Sequence, residues 1–321
     1  MPNRNAVAKL SSTRDKVNAL SLQSPHDVAS LIGADRTIFT TQAGYYQAMT
    51  SHAQIAETVS ASAIILPEFN EFAIQFGNFG IRWYALAYIA GLLIAYYLLR
   101  REASKPGSAM PVATLDSLLN YVLIGIIAGG RLGYVLFYNA GYFLTHPLDI
   151  FKIWQGGMSF HGGLIGVSLA MILLARRHNI SVLTISDRVS MTLPIGLFFG
   201  RIANFINGEL WGRITDVPWA MVFPHSDGAP RHPSQLYEAG LEGLALGLVM
   251  LIGYRKGWLA HQGRLTAIML IGYGVSRYLI EFAREPDAHL GVLFGIITMG
   301  QILCLPMIAG GIYLLMRERR I

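Results

Sequence analysis

From about Pro67 onward the chain alternates long apolar runs with short charged joints. Roughly 20 apolar residues cross a bilayer as a helix, so the distance between charged residues counts the crossings. Trp83 to Leu99 is uncharged, and Asp116 to Asp149 encloses one charge, Arg131. Between Lys152 and Arg176 the one titratable side chain is His161, and Arg188 to Glu209 is interrupted by Arg201 alone. Leu236 to Tyr254 carries Glu238 and Glu242 near its start, Leu265 to Phe282 carries Arg277 and Glu281 near its end, and Ala288 to Met316 carries His289. The pattern predicts an all-α polytopic membrane protein with about seven transmembrane helices.

The joints orient it, because Lys and Arg concentrate on the cytoplasmic side. Arg100, Arg101 and Lys105 follow the first run, Arg176 and Arg177 the third, Arg255 and Lys256 the fifth, and Arg317, Arg319 and Arg320 the seventh. The opposite joints are poorer: Asn139 to Trp154 holds only Lys152, and Arg284 stands beside Glu285 and Asp287. The N-terminus is therefore expected outside and the C-terminus in the cytoplasm. Residues 1–62 differ from the rest, being polar, with five basic and four acidic residues and no run long enough to cross a bilayer. They are expected to form a disordered or weakly helical extension, or to reflect a mis-called start, ahead of a membrane domain over 63–321. They lack the pattern of a secretory signal peptide, which leaves their translocation without a motif.

Composition sharpens this picture. Of 321 residues 53% are hydrophobic and 14% charged, with a mean hydropathy of +0.43, against about 25% charged in an average soluble domain. The net charge of +6 suits cytoplasmic loops and anionic lipid, and no basic stripe for nucleic acid is present. One cysteine, Cys304, excludes an intrachain disulfide and a thiolate metal cluster. No zinc motif, Walker loop or dinucleotide fingerprint occurs, so neither metal nor cofactor is expected. Small residues four apart, Gly125, Gly129 and Gly133 in the second run and Ala239, Gly243 and Gly247 in the fifth, predict close helix packing. The absence of an internal repeat weighs against an inverted-repeat transporter.

An arginine within a bilayer costs ~2.5 kcal/mol or more, so three of them need a reason. At 1.5 Å per residue Arg131, Arg201 and Arg277 stand roughly 21, 22 and 18 Å above the cytoplasmic ends of their runs, and Tyr84 and His161 stand roughly 22 Å up theirs. Each has a plainer reading alone: a snorkelling arginine, an aromatic-belt tyrosine, a satisfied core histidine. Their common depth argues for a site in the outer half of the membrane. Glycines flank His161, giving a ligand or another backbone close approach, and imidazole there could take a proton near neutral pH. Helical spacing puts Arg201, Asn204 and Gly208 on one face near Glu209, and Tyr273, Arg277, Glu281 and Arg284 on one stripe. The external segment Arg231 to Glu238 reads equally as a solvated loop with a helix start at Ser234 or as a direct participant. Guanidinium groups in this layer suit a phosphate, as on a phospholipid headgroup. The chemistry alone stops at a phospholipid-using transferase or hydrolase, with an anion transporter or a lipid-binding assembly factor still open.

The motifs go further. Pro67-Glu68-Phe69, Arg82-Trp83-Tyr84, Gly129-Gly130-Arg131-Leu132-Gly133-Tyr134-Val135, Gly156 to Gly166, Gly200 to Arg213, Arg231 to Glu238, Gly272-Tyr273-Gly274 to Arg277, and Arg284-Glu285-Pro286-Asp287 occur in one order. Together they resemble the bacterial prolipoprotein diacylglyceryl transferases over nearly everything from Pro67 to the C-terminus. The resemblance implies a multi-pass inner-membrane enzyme, its active site toward the outer leaflet. Such an enzyme moves the diacylglyceryl group of phosphatidylglycerol to the lipobox cysteine of a prolipoprotein. It releases glycerol 1-phosphate and leaves a thioether, the first step of lipoprotein maturation. His161 matches the family's essential histidine, Arg201 its phosphatidylglycerol-binding arginine and Arg277 a further essential arginine, while Tyr84, Asn204, Glu209, Gly212 and Tyr273 fall on functional positions. Arg131 and Arg284 complete the expected substrate-binding set. Departures from the pattern are the N-terminal extension and a shorter external loop around Asp227.

Overall fold

A computed structural model describes residues 63–70, 72–77, 79–285, 292–293, 297–317 and 319–320. The expected extension over residues 1–62 lies outside them, as do the motif positions Pro286 and Asp287 and the beginning of the seventh run. In chain order come β1 (Ile64–Ile65), β2 (Phe72–Phe76) and β3 (Phe79–Arg82), then α1 (Trp83–Ala103), α2 (Val112–Tyr138) and a short α3 (Ala140–Thr145). Next are α4 (Phe160–His178), α5 (Val182–Ile206), β4 (Met221–Val222), α6 (Ser234–Arg255), α7 (Arg264–Ile280) and α8 (Met299–Met316). Six of these, α1, α2, α4, α5, α6 and α8, are long and apolar enough to cross a membrane. The run Leu265 to Phe282 forms α7, whose 17 residues extend about 26 Å.

The all-α expectation is amended at the helix ends. β2 and β3 form an antiparallel hairpin leading into α1, and β1 pairs in parallel with β4. Two-residue ladders join His261–Gln262 to Arg319–Arg320 and Val292–Leu293 to Ile297–Thr298. These pairings satisfy backbone groups outside the helices.

The helix surfaces are apolar: Leu92, Leu93, Leu123, Ile124, Leu248 and Leu251 all stand exposed, an arrangement stable against hydrocarbon rather than water. Between α2 and α4 the glycines meet as expected. A Cβ on Gly125 would lie 2.7 Å from the Gly166 carbonyl oxygen, and one on Gly133 would lie 2.6 Å from the Gly162 Cα. The glycines around His161 therefore admit another backbone. Gly243 presses likewise on Phe198, where a Cβ would come within 2.7 Å of the Phe198 Cβ.

Where Leu99, Leu115, Leu118, Leu174 and Ile185 form a buried core, the bundle also holds paired charges. Glu102 lies 3.4 Å from Arg188 and accepts from Tyr254 Oη at 3.0 Å. Asp187 accepts from the Gly263 and Thr266 backbone N–H groups at 2.7 and 2.8 Å, and from Thr266 Oγ1 at 2.7 Å. A carboxylate of α5 thereby caps α7, whose own N-cap, Gly263, has no side chain to do so.

Candidate functional site

Toward the C-terminal ends of α5 and α7, three arginines converge on Glu238 in the first turns of α6. Arg277 Nη1 and Arg284 Nη1 each donate to Glu238 Oε1 at 2.7 Å. Arg201 Nε lies 3.0 Å from Oε2, an ionic contact without hydrogen-bond alignment. The Glu238 side chain is 0% exposed. Glu281 adds a second carboxylate, 2.9 Å from Arg277 Nη2 and 3.7 Å from Arg284 Nε, and Thr298 Oγ1 donates to it at 2.9 Å. Three cations are thus fixed by two buried carboxylates. Among the described residues the Nη2 groups of Arg201 and Arg284 have no protein hydrogen-bond acceptor.

The rest of the expected set divides. Asn204 is buried beside Arg201, accepts from its Nη1 at 3.4 Å, and donates to Glu209 Oε1 at 3.1 Å. Asn207 holds the same Glu209 oxygen at 3.2 Å. Glu209 is placed by the turn that ends α5: its N–H donates to the Asn204 carbonyl, and its own carbonyl accepts from Gln235 Nε2 at 2.7 Å. Tyr273 stands one turn from Arg277, within electrostatic reach of Arg201, Glu238 and Glu242. Tyr84 accepts from Tyr88 Oη at 3.4 Å, and Tyr88 feels the charges of Arg201 and Glu209, which puts this pair on the α1 side of the cluster.

Gly212 makes room. A Cβ there would collide with the Ala283 carbonyl oxygen and lie 2.8 Å from the His232 Cβ. The close approach lets Arg213 N donate to Ala283 O at 2.9 Å and Arg213 Nε to Arg284 O at 2.7 Å, which fixes the backbone that carries Arg284. Gly212 therefore positions a guanidinium instead of contacting a ligand through a side chain.

Arg131 and His161 are not drawn into the cluster. All five N–H donors of Arg131 go to main-chain carbonyls: Nε to Ile150 at 2.8 Å, Nη1 to Gly156 and Gly157 at 2.6 and 3.2 Å, and Nη2 to Asp149 and Lys152 at 2.6 and 3.3 Å. With every donor engaged by a main-chain carbonyl, Arg131 anchors the 149–157 loop. Depth along a helix had placed it in the site layer, but depth does not report which way the side chain turns. His161 is exposed at the start of α4 and has no hydrogen-bond or ion-pair partner among the described residues.

The segment Arg231 to Glu238 is not a solvated loop. Ser234, Gln235 and Glu238 are fully buried, and Ser234 Oγ donates to the Leu210 carbonyl at 3.0 Å. Arg231 is held by Asp227 at 2.9 Å and Glu285 at 3.0 Å, and its hydrogen bond holds the Asp227 carboxyl below the usual carboxylate range. The pivotal residue missed in the sequence is Glu238. Its signal was there: two carboxylates four apart at the start of an apolar run, in a chain whose intramembrane arginines needed counter-charges.

The sequence profile of prolipoprotein diacylglyceryl transferase matches residues 71–317, from the first hairpin through α8. The chain is 54% identical over 256 residues to the phosphatidylglycerol–prolipoprotein diacylglyceryl transferase of Methylocella silvestris, covering 78% of this chain and 94% of that relative. It is 52% identical over 262 residues to the protein of the same name from Rhodospirillum rubrum, at 80% and 95% coverage, and 50% identical over 254 residues to that from Nitratidesulfovibrio vulgaris, at 78% and 95%. The matched region holds Glu238 and all three arginines that meet on it, and on this similarity the chain belongs to the prolipoprotein diacylglyceryl transferase family.

Proposed function

We propose that this protein transfers the diacylglyceryl group of phosphatidylglycerol to the lipobox cysteine thiol of prolipoproteins and releases glycerol 1-phosphate. The observation that carries the reading is the convergence of Arg201, Arg277 and Arg284 on one buried carboxylate, with guanidinium donors left over. Fixed cations with unengaged N–H groups suit a phosphate whose charge grows during reaction, because they need no reorganisation as it does so. Arg201 and Arg277 hold the phosphate, Arg284 stands beside them, and Asn204, Glu209, Tyr84 and Tyr273 bound the site. A cysteine thiol near pKa 8.5 is a weak nucleophile until deprotonated, and His161, exposed and unpaired, takes its proton. Cys304 is buried in α8 and is not that nucleophile. The chain crosses the bacterial inner membrane seven times, α7 included, and the basic joints after the odd-numbered runs support an external N-terminus, a cytoplasmic C-terminus and a site toward the outer leaflet. Both substrates are membrane-bound, so proximity supplies part of the rate.

The test uses the purified protein in phosphatidylglycerol liposomes with a lipobox peptide, following peptide mass and free glycerol phosphate. A diacylglyceryl mass gain matched by glycerol phosphate, and lost in Arg201→Ala, is expected. Lipid hydrolysis without peptide modification would instead make it a phospholipase, and movement of intact lipid a transporter.

A further inference from the structure

We infer that Glu242 holds, in the resting protein, the proton that the departing glycerol phosphate takes up. The inference rests on the transferase reading above and adds a residue that it does not use. Glu242 lies in α6 one turn beyond Glu238, within a π-helical stretch, Ala239–Ala245, and is fully buried. Wide turns of this kind inside α-helices occur frequently at functional sites. Neither of its carboxyl oxygens has a hydrogen-bond partner among the described residues, whereas each oxygen of Glu238 faces a guanidinium. The charged and titratable groups that act on it are Glu238 from its own helix, Arg201 from α5, Tyr273 and Arg277 from α7, Arg284 just beyond, and Cys304 from α8.

Two arguments put a proton there. A buried carboxylate that accepts no hydrogen bond is costly, and protonation removes that cost. The local charge count agrees. Arg201, Arg277 and Arg284 carry three positive charges against the two negative charges of Glu238 and Glu281, leaving one to attract a phosphodiester monoanion. An ionised Glu242 would cancel it.

In the transfer, the cysteine sulfur forms a bond to the glycerol carbon while the bond from that carbon to the phosphate oxygen breaks. The electron pair stays on oxygen, so the phosphate gains a second negative charge in a site with a single surplus positive one. Glu242 gives its proton to that oxygen and becomes a carboxylate. The thiol proton, taken by His161, returns to Glu242 through water once glycerol phosphate has left, so each turnover moves one proton from thiol to phosphate.

The test compares full-length wild type with Glu242→Gln in phosphatidylglycerol vesicles containing a lipobox peptide. The amide should lower kcat about 100-fold, the range of lost proton transfer, with KM for phosphatidylglycerol unchanged, and should abolish the alkaline fall in kcat that the inference predicts for wild type. The defect should shrink with a phosphatidylglycerol analogue bridged by sulfur at the cleaved position, whose thiophosphate departs without needing a proton. Wild-type kcat with an intact alkaline limb in Glu242→Gln overturns the inference. Should that variant not fold, infrared spectra of the wild type with labelled glutamate decide: a protonated-carboxyl band that shifts in Glu242→Asp supports it, and absence of the band overturns it. A wild type that transfers nothing refutes the transferase reading itself, and this inference with it.

Discussion

Arg277 of α7 donates to Glu238 of α6 at 2.7 Å, and Arg284 reaches the same Oε1 oxygen at the same distance. One carboxylate therefore sets the spacing of two guanidinium groups. Removing one member of a buried ion pair leaves the others uncompensated, at ~3–5 kcal/mol. Glu238→Ala should lower stability by about that much in denaturant melts of detergent-solubilised protein. Glu238→Gln, which keeps the volume, should be milder in stability yet still lose transfer activity, since the arginines then lack a fixed anchor.

For Arg131 the expected signature is the reverse. Its five carbonyl bonds tie the 149–157 loop to α2, so Arg131→Ala should cost ~3 kcal/mol from the lost charge-assisted hydrogen bonds. It should also expose that loop to proteolysis. In the folded fraction, KM for phosphatidylglycerol should stay near the wild-type value. A raised KM at unchanged stability would instead make Arg131 a substrate-binding residue.

Gly212→Ala adds a methyl where the Ala283 carbonyl and the His232 side chain already sit. Overpacking of this kind costs ~1–3 kcal/mol. Here it also pushes on the backbone that carries Arg284, so activity should fall further than stability. Turnover measured beside a thermal melt on the same preparation checks it.

Acidification should loosen the loop that Asp227 and Arg231 hold. Arg231 holds the Asp227 carboxyl below its ordinary value of 3.8, so the pair contributes fully above that value and its contribution is lost as pH falls through the lower, folded-state value. Hydrogen exchange over residues 213–231 should accelerate in that acid window for wild type. In Asp227→Asn it should be fast at every pH, without the step.

Much of this was legible because lipid imposes one rule on the chain: apolar runs must be long and their interruptions must have reasons. The runs from Trp83, Arg188 and Leu236 all coincide largely with long helices. Run ends were less readable. α5 begins at Val182, six residues before Arg188, because Asp187 and Arg188 are buried and paired and so do not mark its exit from the membrane. Axial height was readable for Arg201 and Arg277 from the helix rise. Which way Arg131 turned was not, because its acceptors lie 18 to 26 residues away, in and beside short 3-10 turns. Glu238 was obscure for a related reason: its partners come from two other helices, and pairings at that separation leave no mark on local spacing.

The Asp187 cap on α7 bears on the geometry of catalysis from the far end of the bundle. Arg201 stands 14 residues after Asp187 in α5, and Arg277 stands 14 residues after Gly263, whose N–H Asp187 accepts. Two helices started level and rising at 1.5 Å per residue deliver both guanidiniums to one height, about 21 Å away. Asp187 thus acts as a datum from which both are measured, and loosening it should turn a matched pair of arginines into a staggered one without touching either.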